Sequence, residues 1–121
     1  LLMPGIPGHR FAFLVAESYW GELLSHGVKI FAYTGGFLHE KSLLADGSIG
    51  YVGSTNMDYR SFQLHFECGV MLYHVAELKA VQQDLTRTIA QSEAVTLEQW
   101  RHRPWHHKLF GAILRLFAAW M

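Results

Sequence analysis

Apolar positions along the chain follow two periods. From Arg10 to His26 they recur at Phe13, Ala16, Trp20, Leu23 and Leu24, the spacing of one helical face, and Gly27 stands where a C-terminal cap belongs. A helix is predicted there. The next segment, Val28 to Tyr33, alternates and is β-branched or aromatic, which predicts a strand broken by Gly35-Gly36. Two further runs, residues 37–45 and 49–54, flank Asp46-Gly47-Ser48, a strong short-range signal for a β-hairpin. Phe66 to Val75 reads as another strand, with Gly69 allowing close backbone approach. Helical period returns from Ala76 to Gln91 through Leu78, Val81, Leu85 and Ile89. Ahead of all these, residues 1–8 suit the end of a strand and a loop with two prolines. Helix followed at once by strand predicts an α/β layer.

The end of the chain changes character. Thr96-Leu97-Glu98-Gln99 has the spacing of a capping box and opens a short helix, stopped before Pro104 because the residue preceding a proline avoids helical conformation. A last helix, about 105 to 120, sets Trp105, Leu109, Ile113, Leu116 and Trp120 against Lys108 and Arg115. Two fates fit this stripe: packing on the rest of the domain, or lying in a membrane interface together with Trp100, Arg101 and Arg103. The pattern divides the chain into a compact lobe, residues 1–92, and a helical tail, residues 93–121.

Composition narrows the function classes. With 121 residues the chain is one domain's worth, and 50% hydrophobic against 17% charged residues is far from the disordered range. Ten basic residues balance ten acidic ones, so no overall field draws the protein to nucleic acid, which is an unfavoured partner. The single cysteine, Cys68, cannot form an internal disulfide and is expected to be a small core residue. Eight histidines fall in neither HExxH nor a Cys/His ligand spacing, so no metal is expected. No segment reaches the roughly 18 uncharged apolar residues of a membrane span. The start, LLMPGIPGHR, lacks a basic region before an apolar stretch and reads like a chain entered midway.

Candidate chemistry gathers in HEKSLLADGSIGYVGSTN, residues 39–56. Residues two apart on a strand share a face, so His39 and Lys41 point one way while Leu38, Glu40, Ser42 and Leu44 point the other. Ser54 and Asn56 share a face on the return strand, and antiparallel pairing can carry them to the His39 end. Together these groups offer a nucleophile or base, a fixed positive charge and neutral hydrogen-bond donors, a set that suits a phosphoryl group gaining negative charge. An isolated His-x-Lys is ordinarily a solvated strand face, and an asparagine after a strand is ordinarily a turn residue. The long spacing decides against that reading.

His39-x-Lys41, four residues and Asp46, then six residues and Gly53-Ser54-x-Asn56 resembles the HKD signature of the phospholipase D superfamily. Residues 27–67, with Asn56-x-Asp58-x-Arg60-Ser61-Phe62 and His65-Phe66-Glu67, and VTLEQWRHRPW, residues 95–105, are similar to the C-terminal half of bacterial cardiolipin synthases. Two positions depart from the family pattern: Glu40, where a small residue is more usual, and His65, where asparagine is common.

The resemblance implies a phospholipase D-like α/β lobe, a mixed β-sheet flanked by helices, with a C-terminal helical tail. It implies a catalytic His39, either the nucleophile that forms a phosphohistidine or the acid that protonates the leaving alcohol. Lys41 and Asn56 would hold the non-bridging phosphate oxygens with Ser54 beside them. Glu67 would hydrogen-bond the motif histidine and fix its tautomer, and Asp46 would have a structural or supporting role. No cofactor is implied. Enzymes of this superfamily use two such motifs, so the second is expected from a missing N-terminal part of the chain or from a homodimer partner. The implied substrate is phosphatidylglycerol, two molecules of which give cardiolipin and glycerol. The alternatives are a phospholipase D-type phosphodiesterase, a single-motif dimeric nuclease, or a lobe that only scaffolds a partner. The implied location is the bacterial cell membrane on its cytoplasmic side, held peripherally or by an anchor in a missing N-terminal segment.

Overall fold

The computed structural model describes residues 1–118. In chain order the elements are β1 (Leu2–Pro4), α1 (Arg10–Ser25), β2 (Ile30–Tyr33), β3 (Ser42–Ala45), β4 (Ile49–Gly53), α2 (Tyr59–Gln63), β5 (Gly69–Tyr73), α3 (Leu78–Ala90), β6 (Ser92–Val95), α4 (Leu97–Arg101) and α5 (Trp105–Arg115). They form two compact units, one of residues 39–90 and one of residues 1–38 together with 91–118. The α/β class expected from the sequence is observed.

The flanking unit is built on α1. Its end is a Schellman motif: Val28 N–H donates to Leu23 O at 3.0 Å and Gly27 N–H to Leu24 O at 3.1 Å, with Gly27 at φ +83°. β2 follows and carries Ile30, 1% exposed, into the centre of a mixed sheet in which β1 pairs parallel and β6 antiparallel to β2. The Thr96–Gln99 capping box opens α4, with Gln99 N–H donating to Thr96 Oγ1 at 3.1 Å and Thr96 N–H to Gln99 Oε1 at 2.8 Å. α4 seats the Trp100 ring on Gly21, where any Cβ would collide with it. Trp100 Nε1 donates to Glu17 O at 2.9 Å, and Arg103 pairs with the Glu17 carboxylate at 2.7 Å while stacking over the Trp100 ring. α5 lies against α1 at Gly111, whose missing Cβ would stand 3.3 Å from Ser18 Cβ.

The central unit is an antiparallel sheet in the order β3-β4-β5. Asp46 and Gly47 turn the hairpin at φ 51° and 64°, left-handed values that Asp and Gly tolerate, and Ser48 N–H closes the turn on Ala45 O at 3.1 Å. α3 covers the face of Gly50: Leu78 is 3% exposed, and a Cβ on Gly50 would lie 2.6 Å from its Cδ2. Val81, Leu85 and Ile89 continue that half-buried stripe as expected.

Several expectations are corrected. The hairpin belongs not to the mixed sheet but to the separate antiparallel one. His39 and Lys41 precede β3, and Ser54 and Asn56 follow β4, so none of the four lies within a strand. One ladder bond reaches beyond β3, Gly53 N–H to Lys41 O at 3.1 Å. Cys68 is exposed rather than core. α5 ends at Arg115, and Trp120 lies outside the described residues. β6 and α2, four and five residues long, were not anticipated, since neither is long enough to display a period.

Candidate active site

The last residue of β4 fixes the site. Gly53 opposes Gly69 of β5, and the Tyr51 ring lies across both glycines, so that a Cβ at either would strike it. Tyr51 Oη bonds Thr55 Oγ1 at 2.7 Å, holding the chain as it leaves the strand. Ser54 therefore emerges in a fixed direction. Its N–H donates to Cys68 O at 2.9 Å, and its hydroxyl accepts from Cys68 N–H at 3.0 Å. The hydroxyl proton goes to Glu67 Oε2, the charged acceptor, in preference to Cys68 O at 3.2 Å.

A second hydroxyl joins from α2. Asp58 caps that helix by accepting from Ser61 N–H at 2.7 Å, which places Ser61, 7% exposed, beneath the loop. Ser61 Oγ accepts from Asn56 N–H at 3.1 Å. Glu67 thus holds Ser54, whose strand ends just before it, and Ser61 holds Asn56. Hydrogen bonds from Ser54 and Ser61 hold the Glu67 carboxyl below the usual carboxylate range, and the charges of His65 and Lys41 add to this against some desolvation. His65 Nδ1 stands 3.9 Å from Glu67 Oε1. On the other side of the hairpin Lys41 Nζ turns back to donate to His39 O at 2.7 Å.

Lys41, Ser54, Asn56 and Glu67 are accordingly brought to one end of the hairpin, with His39 two residues before Lys41. Asp46 is not among them. It sits exposed at the hairpin tip, beyond all four residues of β3 from Lys41, which at about 3.3 Å per residue is roughly 15 Å away. Ser61 and His65 were missed as site residues. The signal for Ser61 was Asp58 three residues ahead of it, the spacing of a helix cap. Among the described residues no group of three or more His, Cys, Asp or Glu side chains could hold a metal ion.

A family model described as cardiolipin synthase, PLD-like domain, matches residues 1–109. The chain belongs to that family. It is 36% identical over 118 residues to a cardiolipin synthase of Halalkalibacterium halodurans, covering 98% of this chain and 24% of the relative. Identity to a cardiolipin synthase of Clostridium perfringens strain SM101 is 39% over 121 residues, 100% of this chain and 25% of the relative. The chain therefore spans about a quarter of the length of these curated relatives. No solved structure matches it. Membership makes the hairpin end part of a phospholipase D-type fold, in keeping with the spacing of His39, Lys41 and Asn56. Among the described residues no helix is long and apolar enough to cross a membrane.

Proposed function

We propose that this chain supplies one of two HKD motifs to a phosphatidyltransferase that makes cardiolipin from two molecules of phosphatidylglycerol. The observation that carries the reading is the gathering of Lys41, Ser54, Asn56 and Glu67 at the end of the hairpin that His39 enters. In this reading one motif imidazole attacks the phosphorus of phosphatidylglycerol. A nitrogen–phosphorus bond forms as the bond to glycerol breaks, and the imidazole of the other motif protonates the departing glycerol oxygen. A hydroxyl of the second phosphatidylglycerol then gives its proton back to that imidazole and displaces the phosphohistidine. One phosphodiester is exchanged for another, so no activated nucleotide is needed.

Lys41 meets the non-bridging oxygens as a fixed charge and Asn56 as a donor, with Ser54 beside them. Glu67 is assigned the role of hydrogen-bonding the motif histidine and fixing its tautomer. Met57, Phe62 and Phe66, each adjacent in sequence to Asn56, Ser61 or Glu67, are exposed, so apolar side chains border the polar cluster as an acyl-bearing substrate requires. The second motif is assigned to another part of a longer polypeptide or to a second copy.

The test uses the complete enzyme with labelled phosphatidylglycerol in mixed micelles, without nucleotide or divalent metal. Cardiolipin and glycerol should appear in equal amounts. Phosphatidic acid as the sole lipid product would replace transfer by hydrolysis, and cleavage of DNA with lipid untouched would replace it by the nuclease reading.

A further inference from the structure

α5 has two apolar faces, and among the described residues only one of them is packed. Gly111 is buried against α1 and Leu114 is half-buried, forming the face by which the helix packs. At about 100° per residue, Leu109 and Ile113 stand roughly 160° away from Gly111, one on each side of the opposite pole. Trp105 and Leu116 fall on the same outer line, flanked by Phe110 and Phe117, and all six side chains are exposed, Trp105 by 74% and Leu116 by 80%. The stripe read from the sequence is thus turned outward while a smaller face holds the helix down.

Charge gives the occupant. Between residues 97 and 118 there are four basic residues, Arg101, Arg103, Lys108 and Arg115, against the single acid Glu98, in a chain whose total charge is zero. Arg103 is neutralised by Glu17, and Arg115 shares Glu22 at 3.2 Å. Lys108 and Arg115 lie seven residues apart, on one flank between the apolar stripe and the α1 contact. An apolar stripe edged by cations fits an anionic lipid surface, where chains receive the apolar side and phosphates the basic one. The helix has 11 residues, about 16 Å of length, too short to span and suited to lying in the plane of the interface.

We propose that the outer face of α5 docks on an anionic phospholipid bilayer, with Trp105, Leu109, Ile113 and Leu116 in the acyl boundary and Lys108 at the headgroups. This holds whichever reaction the enzyme performs. The probe is a vesicle of phosphatidylcholine and phosphatidylserine, the latter an anionic lipid that is not the proposed substrate. The 121-residue chain should co-sediment with these vesicles and at least tenfold less with phosphatidylcholine alone. Brominated acyl chains should quench an emission component that is missing from Trp105→Phe. The paired exposed change Leu109→Ser with Ile113→Ser should weaken binding at least tenfold and leave thermal unfolding unchanged. Undiminished binding by that pair, equal quenching in Trp105→Phe, or a vesicle-indifferent dimer that the pair dissociates would each overturn the proposal, the last by giving the stripe to a second copy. A chain that binds vesicles in an enzyme that cleaves only DNA would overturn the catalytic reading alone, whereas lipid transfer by an enzyme whose α5 stays in water would overturn this one alone.

Discussion

Each of the two units draws its internal order from a different source. The unit built on α1 buries Trp20, Ile30 and Ala118 and locks its helices with Trp100 on Gly21 and Arg103 on Glu17. In the hairpin unit Leu78 is the buried apolar side chain among the described residues and Ser61 the buried polar one, while Phe62, Leu64, Phe66 and Val70 are exposed. Its order near the site comes from hydrogen bonds: the closed turn at Asp46, the Asp58 cap, Ser61 on Asn56, and Ser54 on the Glu67 carboxylate. Packing is tolerant of polar change at its edges and intolerant of lost volume. A hydrogen-bonded site has the opposite sensitivities, since each group there has one partner and one direction.

The sharpest separation should come from His39→Ala in the complete enzyme. Loss of the imidazole should lower phosphatidyl transfer on the order of 10⁴-fold, while urea unfolding of the exposed-site variant shifts by less than about 0.5 kcal/mol. A residual rate near wild type would remove His39 from the chemistry. Trp100→Ala should do the reverse. It deletes the ring on Gly21 and the bond to Glu17 O, and should cost about 3 kcal/mol in urea unfolding. The catalytic constants of the fraction that remains folded should be unchanged, and an altered KM would break the division between the units.

Asp46 tests whether a motif residue can belong to the folding side. Asp46→Val forces a β-branched side chain to a left-handed φ and should cost about 1–2 kcal/mol, while Asp46→Asn should stay within about 0.5 kcal/mol and keep activity. Loss of activity in a stable Asn variant would give Asp46 a chemical role at a distance. The smallest effect is expected from Glu67→Gln. Because the native carboxyl titrates below its unfolded value, its stabilisation is fully present above about pH 4.3 and is lost as pH falls through the lower native value. The Gln variant should therefore unfold with a flatter dependence on pH on that acid limb, and identical limbs would mean the Ser54 and Ser61 bonds do not act on the carboxyl.

What the sequence revealed follows the same division. α1, α3 and the hairpin were legible because each repeats a period over several residues or carries a distinctive turn, as Asp46-Gly47 does. β6 has four residues with only Val95 and Ala94 apolar, and its strand state comes from pairing with β2, sixty residues distant in the chain. No local signal encodes that. Spacing grouped His39, Lys41, Ser54 and Asn56, although the strand parity used to group them does not operate, because all four lie outside the strands; Glu67 entered through the family resemblance. Ser61 escaped because its role arises from a helical turn that delivers it under Asn56, which only the fold displays. The tail stripe was seen, but its direction depended on Gly111 offering α1 a closer approach than any large residue allows.

The seat of Tyr51 constrains how the hairpin can vary among related proteins. Gly53 and Gly69 are not at the positive φ values of Gly27 and Gly47, so what they supply is room for the tyrosine ring rather than backbone freedom. At Gly69 the atoms nearest to an added Cβ all belong to Tyr51. The two positions should then covary: a larger residue at 69 is admissible where 51 carries a small side chain, and each change alone is penalised. Gly53 has less latitude, since an added Cβ would also stand 2.6 Å from Cys68 O, a backbone atom that no substitution removes.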